Sequence, residues 1–332
     1  MRTLLALCFL LIGCHGRSDA PRVRIAVLGT GLQTQQMPII LADTLGFYRH
    51  EGLDVTLVNL SSNSKTVESL IGGSADAAGI AYMQTIQLAA RGQHIRAFFI
   101  GVRRTNNVLA VAPASAAKIH RVEELRGSVI GVPAPNSPTH LWVNYILAEH
   151  GVHPSEVSAV GIGIGTTAFA AAESGRIQAL AVSGGDHIRL LRRDPSTRIL
   201  VDGASPEAMR EVFGGDRYAS GALAAKQEWL DRNPGAARKL AKAAKDALQW
   251  ISTHSPEEIR KQLPEALRSR DSEIDLTIIR HDLSSFTTDG AMPEGAPEAI
   301  KHFLDATVDD MRNAKVDLSA TWTNQFLAGA SQ

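Results

Sequence analysis

The sequence predicts an α/β protein of two lobes, each a mostly parallel sheet wrapped by helices. Apolar runs of strand length alternate with helical patterns, and this alternation occurs twice with matching landmarks. The last third of the chain then changes to helical patterns. With 332 residues, the chain is long enough to give each lobe a hydrophobic core. Two similar lobes in turn predict a cleft between them.

The first lobe begins with a strict alternation of strand and helix patterns. Strand-length runs lie at residues 23–28, 55–60 and 77–81, with helical patterns at 38–50 and 66–71. Strands that are separated by helices form parallel sheets. The three strands are therefore expected to lie side by side in one sheet.

The second lobe repeats this series. Its strand-length runs lie at 129–132, 157–162 and 179–182, and its helical patterns at 138–150 and 167–174. Pro38 and Pro138 begin the first helix of each series, while Gly52 and Gly151 end it in the left-handed conformation that glycine favours. The shared landmarks predict two lobes of like topology.

The remaining segments connect the lobes. A strand at 95–111 is expected to link them, and a strand at 218–223 to return the chain to the first lobe. The predicted organisation is a first lobe at 22–107, a second lobe at 108–217 and a return segment at 218–332. Helical patterns at 234–251, 256–263, 274–283 and 297–313 are expected to pack on the first lobe.

The N-terminus carries an export signal that ends in a cysteine. An apolar run follows Arg2 and closes in Leu11-Ile12-Gly13-Cys14, which is typical of a bacterial lipoprotein signal. We expect residues 1–13 to be removed, Cys14 to carry lipid, and residues 14–21 to form a linker. The alternative is an ordinary secretory signal that happens to contain Cys14. Both place the protein outside the cytoplasm, and a lipid would be its only membrane attachment.

The charge balance argues against a nucleic-acid partner. The chain has 34 Lys and Arg against 34 Asp and Glu, and it has no basic run of the kind that binds nucleic acid. Cys8 lies in the predicted signal, so the mature chain would have no pair of thiols for a disulfide.

Several short motifs together resemble a known family. They lie at 42–55 (ADTLGFYRHEGLDV), 72–78 (GGSADAA), 122–127 (VEELRG) and 229–250. These motifs are similar to those of extracytoplasmic solute-binding proteins of the nitrate, sulfonate and taurine type, which share their fold with the thiamine-pyrimidine synthase family. Gln178 departs from the pattern, since the family usually has aspartate there.

The resemblance implies a periplasmic-binding-protein type II fold and a role in transport. The protein would be a monomeric, periplasmic or otherwise extracytoplasmic receptor that delivers a small solute to the permease and ATPase of an ABC importer. Sulfonate, nitrate, bicarbonate and pyrimidine-like compounds are the solutes that the resemblance suggests. Two alternatives remain: a ligand-sensing domain for a membrane signalling partner, and a pyrimidine-synthase-like enzyme. The enzyme is disfavoured because such enzymes use a cysteine-rich segment that this chain lacks.

Candidate ligand-binding residues follow from the topology. Open α/β sheets bind ligands at the carboxyl ends of their strands, where strand-to-helix turns and helix N-termini expose hydroxyls and amides. Ser137 and Pro138 mark one helix start, with the amides of Thr139 and His140 expected to point outward. The candidates are Thr30, Gln33, Ser62, Asn63, Tyr82, Asn136, Ser137, Thr139, Thr166 and Ser183.

Other kinds of site are disfavoured by spacing. Gly29 and Gly31 begin a dinucleotide-like motif, but Thr34 stands where its third glycine belongs. His150 and His153 are close in sequence but form no metal-binding pattern. No nucleophile elbow is present, so we expect no catalytic residue, cofactor or metal. Because the predicted cleft loops contain no arginine or lysine, we expect a small ligand of charge zero or −1.

Overall fold

The computed structural model describes residues 20–29, 31–32, 34–183 and 185–327. Its strands are β1 (Arg22–Leu28), β2 (Asp54–Leu60), β3 (Ala77–Ala81), β4 (Ile95–Ile100), β5 (Val108–Val111), β6 (Val129–Val132), β7 (Ser158–Gly161), β8 (Ala179–Val182), β9 (Arg198–Asp202) and β10 (Gly221–Lys226). Its helices are α1 (Met37–Thr44), α2 (Phe47–His50), α3 (Asn63–Gly72), α4 (Tyr82–Ala90), α5 (Pro138–Glu149), α6 (Thr166–Glu173), α7 (Asp186–Arg193), α8 (Pro206–Phe213), α9 (Gln227–Arg232), α10 (Pro234–Thr253), α11 (Pro256–Gln262), α12 (Ser272–Asp282), α13 (Ala296–Thr307) and α14 (Asp309–Arg312).

The strands form two sheets of the same topology. The first has the order β2-β1-β3-β10-β4 and the second the order β7-β6-β8-β5-β9. In each sheet the first three strands are parallel and the fourth is antiparallel to both of its neighbours. The predicted two-lobed α/β class is confirmed, and the repeat in the sequence is the repeat in the fold.

The middle strand of each sheet, β3 or β8, is buried along nearly its whole length because helices pack against the sheet. All residues of β5 and β8 are buried, as continuous apolar runs in parallel sheets usually are. The edge strand β7 is instead largely exposed. Burial therefore concentrates in the middle of each sheet.

The chain passes between the lobes twice. A first connector, residues 101–107, joins β4 of the first sheet to β5 of the second. A second connector, residues 203–220, contains α8 and leads from β9 back to β10. The single strand predicted at 95–111 was wrong: Gly101 ends β4, and β5 belongs to the other sheet.

Two further predictions differ from the structure, and some elements were not predicted. The helix predicted at 38–50 is interrupted at Gly46, whose φ of +77° is left-handed and stops α1 before α2 begins. The helices α4, α7, α8 and α9 and the strand β9 were not predicted. The returning strand begins at Gly221 rather than residue 218, since residues 218–220 belong to the second connector.

The C-terminal helices contact both lobes. As predicted, α10 packs on α1 and α2 of the first lobe. In addition, α12 contacts α7 of the second lobe, and α13 lies against both α4 and α5. One apolar cluster accordingly joins Ile86 of α4 to Tyr145 of α5 through Phe303 of α13. Nothing in the sequence pattern of these helices indicates that they lie between the lobes.

Across the described ranges, no helix is long and apolar enough to cross a membrane.

Candidate functional site

The two sheets face each other at the connectors, and we call the strand ends next to the connectors their inner edges. In the second sheet, Val108 at the start of β5 pairs with Val182 and Asp202, the last residues of β8 and β9. In the first sheet, Gly221 at the start of β10 pairs with Ala81, the last residue of β3. The carboxyl ends of the parallel strands therefore face the interlobe region, which is where open α/β sheets bind ligands.

Three of the predicted functional positions lie outside the described residues. They are Thr30, Gln33 and Cys14. In the same loop, the next residue, Thr34, is described; it is buried and lies close to the first connector and α12.

Ser62 and Asn63 lie at the start of α3, on the inner edge of the first lobe. The Ser62 hydroxyl accepts a hydrogen bond from the Lys65 amide at 3.3 Å, so it caps the helix. Asn63 is the first helical residue and its side chain is exposed. Ser62 thus has an established structural role, while Asn63 is free to contact a solute.

Tyr82 begins α4, but its side chain points into the core. It is fully buried, and its hydroxyl shares a 2.7 Å hydrogen bond with the hydroxyl of Thr321. Burial raises the pKa of Tyr82 above that of an exposed phenol. The side chain is therefore inaccessible to a solute in this conformation.

The residues at the start of α5 are held by one another. Ser137 caps the helix by accepting a hydrogen bond from the His140 amide at 3.2 Å, so that amide is not free as predicted. Asn136 has a left-handed φ of +59°, and its amide donates to Nδ1 of His140 at 2.9 Å. Burial lowers the pKa of His140, which favours the neutral ring that can accept this bond.

Thr139 connects the start of α5 to the first connector. Its side chain is buried, and its hydroxyl donates to Oδ1 of Asn107 at 3.2 Å. Asn107 is the last residue before β5 and is also buried. A buried hydrogen bond therefore attaches the start of α5 to the first connector.

The last two candidates lie in the second lobe. Thr166 is the exposed first residue of α6, and Ser183 is a half-buried residue that follows β8. The Ser183 carbonyl accepts a hydrogen bond from the Asp186 amide at 3.2 Å. The described candidates thus form two sets, one on each lobe, and among them no hydrogen bond joins the two sets.

The structure adds a chain of polar side chains that we call the interlobe relay: Thr34, Asp282, His281 and Asp202. The Thr34 hydroxyl donates to Oδ2 of Asp282 at 2.6 Å. Nδ1 of His281 lies 2.6 Å from Oδ1 of Asp282, and its Nε2 lies 2.8 Å from Oδ2 of Asp202. The relay runs from the first lobe, through α12, to the inner edge of the second lobe.

The relay is charged at its centre. Burial alone lowers the pKa of His281, but hydrogen bonds to Asp202 and Asp282 outweigh it and raise the pKa to about 10. The same contact with His281 overcomes the effect of burial on Asp202 and lowers the pKa of that carboxyl. His281 is therefore an imidazolium between two carboxylates at neutral pH.

His187 packs against the relay without joining it. Its ring centroid lies 4.7 Å from that of His281, and the side chain is only 4% exposed. Neither ring nitrogen has a hydrogen-bond partner within the described part of the chain. Burial, together with the charge on His281, lowers the pKa of His187 to about 4, so the ring is neutral.

Arg104 and Asp216 link the two connectors. Nε and Nη2 of Arg104 donate to the two carboxylate oxygens of Asp216 at 3.0 and 3.3 Å. Nη1 donates to the Ser284 carbonyl at 2.9 Å, which adds the segment after α12 to the same contact. A small interlobe cavity is lined by Thr34, Gln35, Val102, Arg104, Asn106, Asp282 and Ser285.

The comparisons with known proteins identify the family. A family model described as NMT1/THI5 like matches residues 33–259. The chain belongs to the NMT1/THI5-like family. A solved structure of a protein from Bordetella bronchiseptica RB50 is 34% identical, with a TM-score of 0.78, over 92% of this chain and 95% of that chain. The family resemblance of the sequence motifs is confirmed.

One relative and one structural neighbour of this NMT1/THI5-like chain have named ligands. The nitrate/nitrite binding protein NrtA of Synechocystis sp. is 23% identical over 252 residues, which cover 70% of this chain and 54% of NrtA. The chain thus spans about half the length of that relative. The periplasmic aliphatic sulphonate binding protein SsuA of Escherichia coli is 16% identical, with a TM-score of 0.68, over 93% of this chain and all of SsuA. At this identity, SsuA shows a shared fold.

Sequence reasoning missed most of the polar groups between the lobes of this family member. Asp202 ends a strand that was not predicted, and His281 and Asp282 end a helix that was assigned to the first lobe alone. His187 had a partial signal, since it lies four residues after the candidate Ser183. The described residues contain no group of three or more His, Cys, Asp or Glu side chains arranged to hold a metal.

Proposed function

We propose that this protein is the substrate-binding component of an ABC importer for a small solute. One observation carries the proposal: two sheets of like topology present their strand ends to each other across two connectors. Such an arrangement lets the lobes close on a solute, because each lobe supplies part of the hydrogen bonding and the closed form binds best. The named ligands of NrtA and SsuA support a solute of the nitrate or sulfonate type.

The charges between the lobes favour a solute of charge zero or −1. Arg104 is already paired with Asp216, and Arg189 is paired with Asp186 at 3.1 Å. The relay carries two carboxylates and one imidazolium. A multiply charged anion would find little compensation here, whereas neutral hydrogen bonds of about 0.5–1.5 kcal/mol each can hold a small neutral or singly charged solute.

The binding surface follows the exposed candidates on each lobe. Asn63 offers an amide from the first lobe, and Asn136 and Thr166 offer an amide and a hydroxyl from the second. Nitrate, sulfonate, bicarbonate and pyrimidine-like solutes are the candidates. The protein would carry out no reaction, and it would act as a monomer that hands its solute to a permease driven by an ATPase.

The identity of the solute can be tested directly. Native mass spectrometry of the purified protein should reveal a bound small molecule, and thermal unfolding with nitrate, methanesulfonate, taurine, bicarbonate and an aminopyrimidine should show stabilisation by one class. A ligand at one hundred times its Kd stabilises a protein by about 2.7 kcal/mol, which such a screen detects. No stabilisation by any of these, with no co-purified molecule, would contradict a receptor for them.

The lipid anchor is a separate part of the proposal. It rests on the sequence around Cys14, so the full-length protein should incorporate labelled palmitate when it is made in a bacterium. The Cys14→Ser variant should remain unprocessed or soluble. A wild-type protein that takes up no label would contradict lipidation while leaving the solute-binding proposal intact.

A further inference from the structure

A second pocket lies on the first lobe, between α10, the end of α2 and the segment that contains Phe326. Its volume is about 330 Å³, which is within the range of small-ligand sites. The floor is apolar, because Phe326 is buried and Leu327 is half-buried. Phe326 packs edge-on against Phe98 of β4, with ring centroids 6.1 Å apart. The floor of this pocket is therefore part of the core of the first lobe.

Four cations line the same pocket, and we call them the α10 cation cluster: Arg238, Lys239, Lys242 and Lys245. Steps of three and four residues place most of them on one face of the helix. The opposite face, which includes Leu240 and Leu248, is buried in the core of the first lobe. Leucine and alanine residues separate most of the cations in the sequence, so the cluster exists only once the helix has formed.

The cluster carries more positive charge than its neighbours neutralise. Both carboxylates of the pocket contact a single ammonium, since Nζ of Lys242 lies 2.7 Å from Oε1 of Glu51 and 2.8 Å from Oδ2 of Asp246. The other three members of the cluster form no ion pair within the part of the chain that the structure describes. Like charges one turn apart on a helix repel each other. An anionic partner would relieve this repulsion.

The pocket lies beside the point where the N-terminal segment enters the fold. Glu51 is three residues before Asp54, the first residue of β2. The Asp54 amide donates to the Pro21 carbonyl at 3.1 Å, and its carboxylate pairs with Arg22, the first residue of β1, at 3.6 Å. The pocket is therefore at the amino ends of β1 and β2, opposite to the inner edge of the first sheet.

The proposed lipid anchor would keep this end of the protein near a membrane. Cys14 lies eight residues before Arg22, and eight residues span at most about 29 Å when they are fully extended. Anionic phospholipids attract clustered lysine and arginine side chains. The apolar floor and the aliphatic stems of the lysines can contact the less polar part of a lipid headgroup region. Charge, floor and position thus favour the same partner.

We propose that this pocket docks the first lobe on a membrane by binding the phosphate headgroups of anionic phospholipids. This docking adds a second attachment to the lipid, which the sequence predicts as the only one. It leaves the inner edges, at the other ends of the parallel strands, accessible to a solute. The docking goes beyond the importer function and does not depend on it.

Vesicle sedimentation tests the docking. Every protein is the full chain with Cys14→Ser, so that no attached lipid contributes to binding. Vesicles of phosphatidylcholine alone measure any binding through the apolar N-terminal segment, and vesicles that also contain phosphatidylglycerol measure the effect of anionic headgroups. Lys239→Gln/Lys245→Gln should bind the mixed vesicles at least about tenfold more weakly than its parent, because each cation near an anionic surface contributes about fivefold in affinity.

The matched control is Lys118→Gln/Lys315→Gln. It removes the same charge from two exposed lysines outside the pocket, so it should bind the mixed vesicles nearly as tightly as the parent does. Lys239→Arg/Lys245→Arg keeps the charge of the cluster and should also retain binding. Equal binding of the parent and Lys239→Gln/Lys245→Gln to the mixed vesicles would overturn the proposal.

Calorimetry with inorganic phosphate separates a membrane from a free anion as the partner. Phosphate alone should bind the parent weakly, because it has no contact with the apolar floor. Tight binding of phosphate that Lys239→Gln/Lys245→Gln loses, together with no binding of the parent to mixed vesicles, would overturn the docking and assign the pocket to a free anion.

The docking and the lipid anchor fail in different ways. A wild type that takes up no palmitate, combined with binding of the parent to mixed vesicles through the cluster, would refute the anchor and keep the docking. Uptake of palmitate, combined with equal vesicle binding of the parent and Lys239→Gln/Lys245→Gln, would refute the docking and keep the anchor.

Discussion

Arg104 and Asp216 lie on different connectors, and a two-pronged ion pair joins them at the point where the chain passes between the lobes. Arg104 is 4% exposed, whereas the side chain of Asp216 is 43% exposed. Hydrogen bonding from Arg104 lowers the pKa of the Asp216 carboxyl. Parallel hydrogen bonds of this kind fix both partners in orientation as well as distance. The two connectors are therefore expected to move as one unit.

Breaking this pair should destabilise the protein, and more so when the buried charge is the one left behind. Asp216→Ala leaves the guanidinium buried without its carboxylate, and we expect a loss of about 2–4 kcal/mol in the free energy of unfolding. Arg104→Met leaves a half-exposed carboxylate that water can solvate, but it also removes the bonds to Ser284. Urea unfolding of both variants measures the losses.

Asp309 provides the control for that experiment. It forms an exposed ion pair with Arg312, so Asp309→Ala should change the free energy of unfolding by less than about 0.5 kcal/mol. If Asp216→Ala and Asp309→Ala are equally stable, the pair between the connectors makes no measurable contribution to the free energy of unfolding.

The sequence predicted the sheets well because burial on both faces leaves a strong pattern. The runs that became β3, β6 and β8 are entirely apolar, and the landmarks Pro38 and Pro138 marked equivalent helices. The strand β9 was missed because RILVD mixes charged and apolar residues, as expected at the edge of a sheet.

The interlobe polar groups could not be predicted from local pattern. His281 meets Asp202 across 79 residues, and Arg104 meets Asp216 across 112. Periodicity reports which face of a helix is buried but not which element covers it. The relay forms because α12 packs against the second lobe. This packing is visible only in the assembled fold.

The charge on His281 should make stability depend on alkaline pH. Its pKa is about 10 in the folded protein and about 6.5 in an unfolded chain, so its contribution is complete below pH 6.5 and is lost as the pH rises toward 10. The free energy of unfolding should fall by up to about 1.4 kcal/mol per pH unit in this range. His281→Gln should flatten this part of the profile. A wild type and variant with parallel profiles from pH 7 to 9.5 would contradict the charged relay.

His187 should have the opposite effect on the acid side. Its pKa is about 4 when folded, so protons bind the unfolded chain more readily and stability is lost as the pH falls from 6.5 toward 4. His187→Gln should remove this contribution. Because carboxylates also titrate near pH 4, the comparison is made from pH 6.5 to 5, with His302→Gln, an exposed histidine of α13, as the control.

Thr139 should affect solute binding through its contact with Asn107. Thr139→Ala removes the hydroxyl that joins α5 to the first connector, and we expect binding of the co-purified solute to weaken about tenfold, or about 1.4 kcal/mol. Thr253→Ala, at the exposed end of α10, should bind as the wild type does. Calorimetry with the identified solute measures both. Unchanged affinity in Thr139→Ala would mean that the start of α5 does not serve the binding site.

Domain closure should be detectable as a smaller radius of gyration when the solute binds. We expect α12 to limit the extent of this closure. It packs on α7 so closely that a Cβ added to Gly185 would clash with Cδ1 of Ile278. Gly185→Ala should therefore separate these helices and change the X-ray scattering of the unliganded protein. Gly175→Ala is the matched control, because Gly175 has a similar left-handed φ but no atom within 4 Å of the added Cβ. Identical scattering of the wild type with and without saturating solute would contradict closure. Identical scattering of the two glycine variants would show instead that α12 does not set the spacing of the lobes.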